Sequence, residues 1–328
     1  MIESITGIPD IKVGHYTDLK HATGCTVILF EKGAVAGVDV RGASPGTRET
    51  DLLRPGNLIE KIHGIVLSGG SAYGLDTASG VMQYLEEQGL GFQIGPAVIP
   101  IVPAAIIFDL GLSTHLVRPT GKDAYEACKQ ASSNIVPEGS LGAGTGATLG
   151  KLFGMKRAVK GGIGTTCLDL GNGLLVGAIM VVNAAGGLID PETGNTIAGP
   201  LQEDRKGFLD TVSIMTKPGF EEVQKETPVN TTIGIVITNA TLTKEQANRL
   251  AMVSQDGIAI TIRPSHTMVD GDVIFAAGTG GRTQPLDHNE YNRLGIAATQ
   301  AVAKAIVRAV TKATTVDTVP CINEIKNA

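Results

Sequence analysis

The sequence predicts an α+β fold in which sheets and helices stack in layers, and three observations carry that expectation. Short β-branched apolar runs recur along the chain, amphipathic helical patterns fall between them, and the two do not alternate strictly. Several of the apolar runs are separated by Gly-rich turns too short to hold a crossover helix, which disfavours a wholly parallel, doubly wound sheet.

The expected strands are Cys25 to Phe30, Ala34 to Val40, Ile65 to Ser68, Leu174 to Val182, Thr232 to Thr238, Ile258 to Ile262 and Val273 to Ala277. Helical patterns cover Leu75 to Gln88, Lys122 to Ser133, Lys244 to Ser254 and Tyr291 to Ala313. In the last, Leu294, Ala298, Val302, Ile306 and Val310 repeat every fourth residue, which places one apolar stripe against a sheet. Gly199 to Val229 mixes charge, Gly and Pro without a sustained period and reads as an exposed loop that ends at Asn230.

Composition narrows the function classes. Aromatic residues are only 4% of the chain, with no Trp and 43 Gly, so Val, Ile, Leu and Ala must pack closely against glycine backbone. A net charge of -5 and the lack of a basic, aromatic-interleaved run argue against nucleic acid. The N-terminal residues show no signal-peptide pattern, and no stretch of eighteen apolar residues runs free of Gly or charge, so a cytoplasmic protein without a membrane partner is expected. Cys25, Cys128, Cys167 and Cys321 form no CxxC pair and the six histidines form no HExxH group; buried reduced thiols and no metal are expected.

The chemistry points to one junction. NTTIGIVITN follows the polar loop, so the Thr231 hydroxyl stands where loop meets a buried strand and could attack the carbonyl of Asn230. Hydrolysis of the resulting ester would leave Thr231 carrying both a nucleophilic hydroxyl and a free amine. That amine, with a pKa of about 7.7 to 8.0, can accept the hydroxyl proton where a peptide nitrogen cannot. The same residues also suit the plain opening of a strand.

Rival motifs fit less well. In GSLGAGTGATLGK, Gly142, Gly144 and Ala147 match GxGxxA, but a phosphate loop needs Gly where Thr145 stands and Ser or Thr where Leu152 stands. Asp169 is roughly placed for a dinucleotide site, yet SSNIVPEGS is a poor preceding strand. Ser71, in GGSAYG, lacks the GxSxG elbow of a serine hydrolase.

The segments GIPDIKVGHYTD, TGCTVILF, DVRGASPGTRETDLL and LSGGSAYGLDTASGVMQYLEEQGLGF, in that order, resemble the family of L-aminopeptidase/D-amidase-esterases, with β-peptidyl aminopeptidases and nylon-oligomer hydrolases as relatives. The resemblance implies a four-layer αββα sandwich of the N-terminal-nucleophile-hydrolase type. It implies one catalytic domain over residues 1–328, processed after Asn230 into associated pieces 1–230 and 231–328, with no cofactor and a homotetrameric assembly. Thr231 falls on the nucleophile, because VNTTIGIVITNATLT resembles the start of the nylon-hydrolase small subunit.

On the same resemblance, Asp270 and Asp272 in HTMVDGDVIF fall on two acidic groups beside the nucleophile, although Asp-Gly also reads as a hairpin turn. Asn183, in VVNAAGGLID, falls on an oxyanion-stabilising amide, and an Asn turn before Gly-Gly is the plainer alternative. Lys151 falls on an active-site lysine; as a lone surface cation it would need no explanation. Phe108 stands where some relatives have Tyr and is assigned with Tyr73 and Ser71 to the substrate pocket, Tyr73 with a buried ring at a helix start as its alternative.

The implied reaction is hydrolysis of short amine-bearing amides, either nylon-type 6-aminohexanoate oligomers or the N-terminal residues of peptides. Aminopeptidase or D-amino-acid amidase and esterase activity without nylon cleavage is the alternative. Acyl transfer of the ornithine acetyltransferase type is remoter, because that cleavage motif is absent, as is an uncleaved nucleotide- or metabolite-binding protein.

Overall fold

The computed structural model describes residues 4–220 and 230–326. Its centre is a nine-stranded mixed sheet built from β1 (Lys12–Asp18), β2 (Thr23–Val40), β3 (Thr47–Arg48), β4 (Lys61–Ser68), β5 (Ala104–Ile106), β6 (Gly162–Asp169), β7 (Leu175–Asn183), β8 (Thr231–Thr238) and β9 (Val273–Gly278). Hydrogen bonding runs β6-β7-β8-β9-β2-β4-β5-β3, with β1 also on β2. Only β8 with β9 and β4 with β5 are parallel among these pairs.

Three apolar cores resolve this sheet into four layers. Along β2, Cys25, Val27 and Leu29 pack toward helices α1 (Thr77–Glu87) and α2 (Gly121–Lys129), while Ile28 and Phe30 point the other way. That inner core joins Ile28, Phe30, Ile65 and Leu67 to Ile179, Ile233, Ile235 and Phe275 of the other half-sheet. Met180, Val236 and Ile274 face outward onto α3 (Lys244–Ala259) and α4 (His288–Thr311). The αββα sandwich implied by the resemblance is therefore present, with its two sheets continuous through the 18-residue β2. A register shift against β4 between Leu29 and Ala34 interrupts β2, the kind of irregularity that lets one strand serve two layers.

Capping boxes start α3 at Thr243 and Gln246 and α4 at Asp287 and Glu290. Helix α4 is long and apolar enough to cross a membrane, but its stripe from Leu294 to Val310 is buried on the sheet. Glycine makes that packing close: a Cβ on Gly164 or Gly162 would lie 2.2 Å from the Ala305 carbonyl oxygen or 2.4 Å from that of Ala309. All four cysteines are buried and unpaired.

Two expectations change. Ile258 to Ile262 is not a strand: α3 continues to Ala259 with Leu250, Ala251, Ser254 and Ile258 on its buried face, and only Ile262–Arg263 is extended. The stretch from Gly199 is not uniformly an exposed loop, since Gly199, Pro200 and Leu201 are buried and Thr211–Met215 is a short helix; its last part, 221–229, lies outside the described residues.

Candidate active site

Strand β8 begins at Thr231, and its antiparallel register with β7 sets Asn183 directly opposite. On the other side the chain runs parallel to the β9 approach, so Asn230 bridges Asp270 and Ile233 pairs with Val273. Three chain segments thereby meet at the Asn230-Thr231 peptide. Both residues are buried, Asn230 at 0% and Thr231 at 2% exposure, so the junction is not the solvent-accessible one the polar loop suggested.

The peptide is held on both faces. The Thr231 hydroxyl donates to the carbonyl oxygen of Asn230, the bond next to its own nitrogen. That same oxygen accepts the Gly271 N–H at 2.9 Å, and the Asn230 N–H donates to Val269 at 3.1 Å. One residue on, the Thr232 N–H donates to Asp272 Oδ1 at 2.6 Å. Asp270 Oδ2 accepts the backbone N–H and the hydroxyl of Thr267, each at 2.7 Å. Asp270-Gly271-Asp272 is thus a tight connection into a parallel strand and not a hairpin turn.

Asn183 is fully buried with its amide orientation fixed. Its Oδ1 accepts the Thr148 N–H and the Lys151 ammonium, each at 3.0 Å, and its Nδ2 donates to the Phe108 carbonyl at 3.1 Å. Lys151 also donates to the Asn183 carbonyl at 3.0 Å. This lysine is 5% exposed, so the surface-cation reading fails. Burial pushes its pKa down to about 7, reinforced by Lys160 and opposed by Asp270 and Asp109. Asp270 moves the other way: burial and the neighbouring Asp272 carboxylate hold it above the usual carboxylate range, against Thr267 and Lys151. A lysine brought down and a carboxyl brought up leave both able to exchange protons nearer neutrality than free side chains.

The model of peptidase family S58 matches residues 3–321. The chain belongs to that family. An uncharacterized aminopeptidase of Mycobacterium leprae is 40% identical over 97% of this chain and 93% of its own length. The 6-aminohexanoate-oligomer endohydrolase of Paenarthrobacter ureafaciens is 29% identical over 83% of this chain and 73% of its own length. Among solved structures, a Burkholderia β-aminopeptidase superposes with a TM-score of 0.70 at 20% identity, covering 95% of this chain and 87% of that one. The L-aminopeptidase D-Ala-esterase/amidase of Ochrobactrum anthropi, described as a variant of the Ntn hydrolase fold, gives 0.71 at 18% identity, covering 95% and 86%. The protein has that fold and is a hydrolase acting on amide bonds.

Of the residues singled out in the sequence, Asn230, Thr231, Asn183, Asp270, Asp272 and Lys151 gather in this one place. Phe108 joins through its backbone carbonyl, its ring being half-buried. Ser71 is tied to the neighbouring Ile107 carbonyl at 3.0 Å. Tyr73 is 64% exposed with the Arg118 guanidinium 4.0 Å above its ring, so it is not the buried ring at a helix start. Sequence reasoning missed His266 and Thr267, which hold Asp272 and Asp270, although both stand in the HTMVDGD stretch. It also missed Lys160, fully buried and donating to the carbonyls of Thr145 at 2.8 Å and Ala147 at 2.5 Å, for which no local pattern gives a signal. The Gly-rich GSLGAGTGATLGK run wraps this lysine and carries Thr148 to Asn183.

Proposed function

We propose that the chain cuts itself between Asn230 and Thr231 and then uses Thr231 as an N-terminal nucleophile on short amine-bearing amides. The observation that carries this reading is the Asn230 carbonyl, which receives the Thr231 hydroxyl on one side and the Gly271 N–H on the other. The Thr231 oxygen attacks the Asn230 carbonyl carbon, and the Gly271 N–H bonds the oxygen where negative charge develops. The C–N bond breaks to leave an ester on the hydroxyl and a free amine, and water hydrolyses the ester to an Asn230 carboxylate.

The new amine then takes the hydroxyl proton as Thr231 attacks substrate, with the remaining N–H of Asn183 steadying the oxyanion. The amine product departs with the proton, and water resolves the acyl-enzyme. Asp270 and Asp272 orient the Thr231 ammonium and balance its charge, while Lys151, brought near neutrality, supplies or accepts a proton beside Asn183. The two pieces remain together because β8 and β9 lie in the middle of the sheet, between β7 and β2. A cytoplasmic homotetramer completes the proposal.

For substrate, the combination of Asn230-Thr231, Lys151, Asp270 and Asp272 supports 6-aminohexanoate oligomers, in line with the relatives so named. The 40% identity to a protein named as an aminopeptidase supports the N-terminal residues of peptides as the second reading. Purified protein incubated with each substrate decides between them. Release of aminohexanoate supports the first, and release of amino acids alone, by enzyme proved active, removes it. Thr231→Ala should remain one chain and inactive on both.

A further inference from the structure

His266 sits just before the acidic pair, in the turn that leads to β9, with a backbone φ of 58°. This left-handed conformation is unfavourable for most side chains; Gly takes it freely, and Asn, Asp and His take it more readily than the rest. Asp272 is 2% exposed, and both of its carboxylate oxygens are committed. Oδ2 accepts the His266 N–H at 3.0 Å and lies 2.9 Å from His266 Nδ1; Oδ1 accepts the Thr232 N–H at 2.6 Å. The Asp272 carbonyl is fixed as well, accepting from Arg41 and Gly42 at 3.0 and 3.2 Å.

We propose that His266 is a positioning residue for the nucleophile, acting through Asp272. Its imidazole and its own backbone N–H grip one carboxylate oxygen, so the other stays aimed at the amide beside Thr231. The inference rests on the reading of Thr231 as nucleophile. Nδ1 is the ring nitrogen that reaches Asp272, and Nε2 is buried with no hydrogen-bond partner, so Asp272 is the one polar partner of the ring among the described residues. The bond to the Asp272 carboxylate is charge-assisted and so about twice as strong as a neutral one. Without the ring, Oδ2 keeps only the His266 N–H, and rotation of the carboxylate releases Thr232 and, with it, the alignment of the Thr231 hydroxyl on the Asn230 carbonyl.

The backbone conformation supplies the test. His266→Gly removes the ring without opposing the left-handed φ, and His266→Asn keeps a donor near the place of Nδ1 in a residue that also tolerates it. Amide hydrogen exchange at Thr232 is measured by NMR in the uncut Thr231→Ala chain, and fragment appearance is timed in chains that carry Thr231. His266→Gly should exchange at Thr232 at least about 10-fold faster and cut itself about 10- to 100-fold more slowly, the loss expected for one charge-assisted hydrogen bond. His266→Asn should stay within about threefold of the parent in both. Unchanged Thr232 exchange in His266→Gly, or equal loss in the Gly and Asn variants, overturns the proposal. A parent chain that never cuts defeats the self-cleavage reading instead, and the Thr232 comparison still decides whether His266 acts through Asp272.

Discussion

Removing the Asn183 side chain separates a structural role from a chemical one. Asn183→Ala deletes an acceptor for the Lys151 ammonium, an acceptor for the Thr148 N–H and the donor to the Phe108 carbonyl, all at 3.0 to 3.1 Å from a fully buried side chain. A hydrogen bond to a charged group contributes about 1.5 to 3 kcal/mol and each neutral one about 0.5 to 1.5, so the folded state should lose about 2.5 to 6 kcal/mol. Urea unfolding of Asn183→Ala in the Thr231→Ala background, where no cut complicates the transition, measures this loss. The catalytic loss is separate: one missing oxyanion donor slows acylation by about 10² to 10³-fold. Asn183→Asp distinguishes them, because the carboxylate still accepts from Lys151 and Thr148 but has no N–H to give. It should fold better than the Ala variant and hydrolyse amides no faster. An Asn183→Asp enzyme with undiminished kcat on a pre-cut sample would refute the assignment of Asn183 to the oxyanion.

The buried lysines predict an unusual pH dependence. Lys151 and Lys160 are brought from 10.5 to about 7 by burial, so between those values the unfolded chain holds protons that the folded chain has released, and stability rises with pH; the deficit is complete below the folded value. Unfolding between about pH 7 and 8, before most thiols of the unfolded chain ionise, should show that rise, and Lys151→Met should flatten it by up to about 1.4 kcal/mol per pH unit; identical slopes would contradict the burial of its charge. Gly271→Ala would place a methyl 3.0 Å from the Thr231 hydroxyl and 2.7 Å from the Ser44 carbonyl oxygen. It should slow self-cleavage at least about tenfold, because such crowding shifts the attacking group; a gel time course matching the parent would show that the hydroxyl does not act from this position.

The fold was legible where periodicity is local. Leu294 to Val310 gave α4 by its spacing, and Thr232 to Thr238 gave β8 almost to the residue. Strand β6 was not legible, because Gly162 and Gly164 interrupt its apolar run; they let the sheet approach the α4 backbone, a contact between residues more than about 140 apart in sequence. The site divides in the same manner. Thr231 is an ordinary strand opener by itself, and what singles it out physically is the long-range register that brings Asn183 opposite and the Asp270 turn alongside. Lys151 looked like a solvated cation because nothing local shows that the Asn183 carbonyl and amide oxygens wait for it. His266 was overlooked because a lone histidine carries no partner until the turn folds it onto Asp272.

The most direct test of the whole account is the intact mass of the purified protein beside its Thr231→Ala variant. The 33.9 kDa chain should resolve into pieces of about 24 and about 10 kDa, the smaller with Thr231 at its N-terminus, while the variant stays whole and inactive. A parent protein that hydrolyses amides as a single uncut chain would contradict the account.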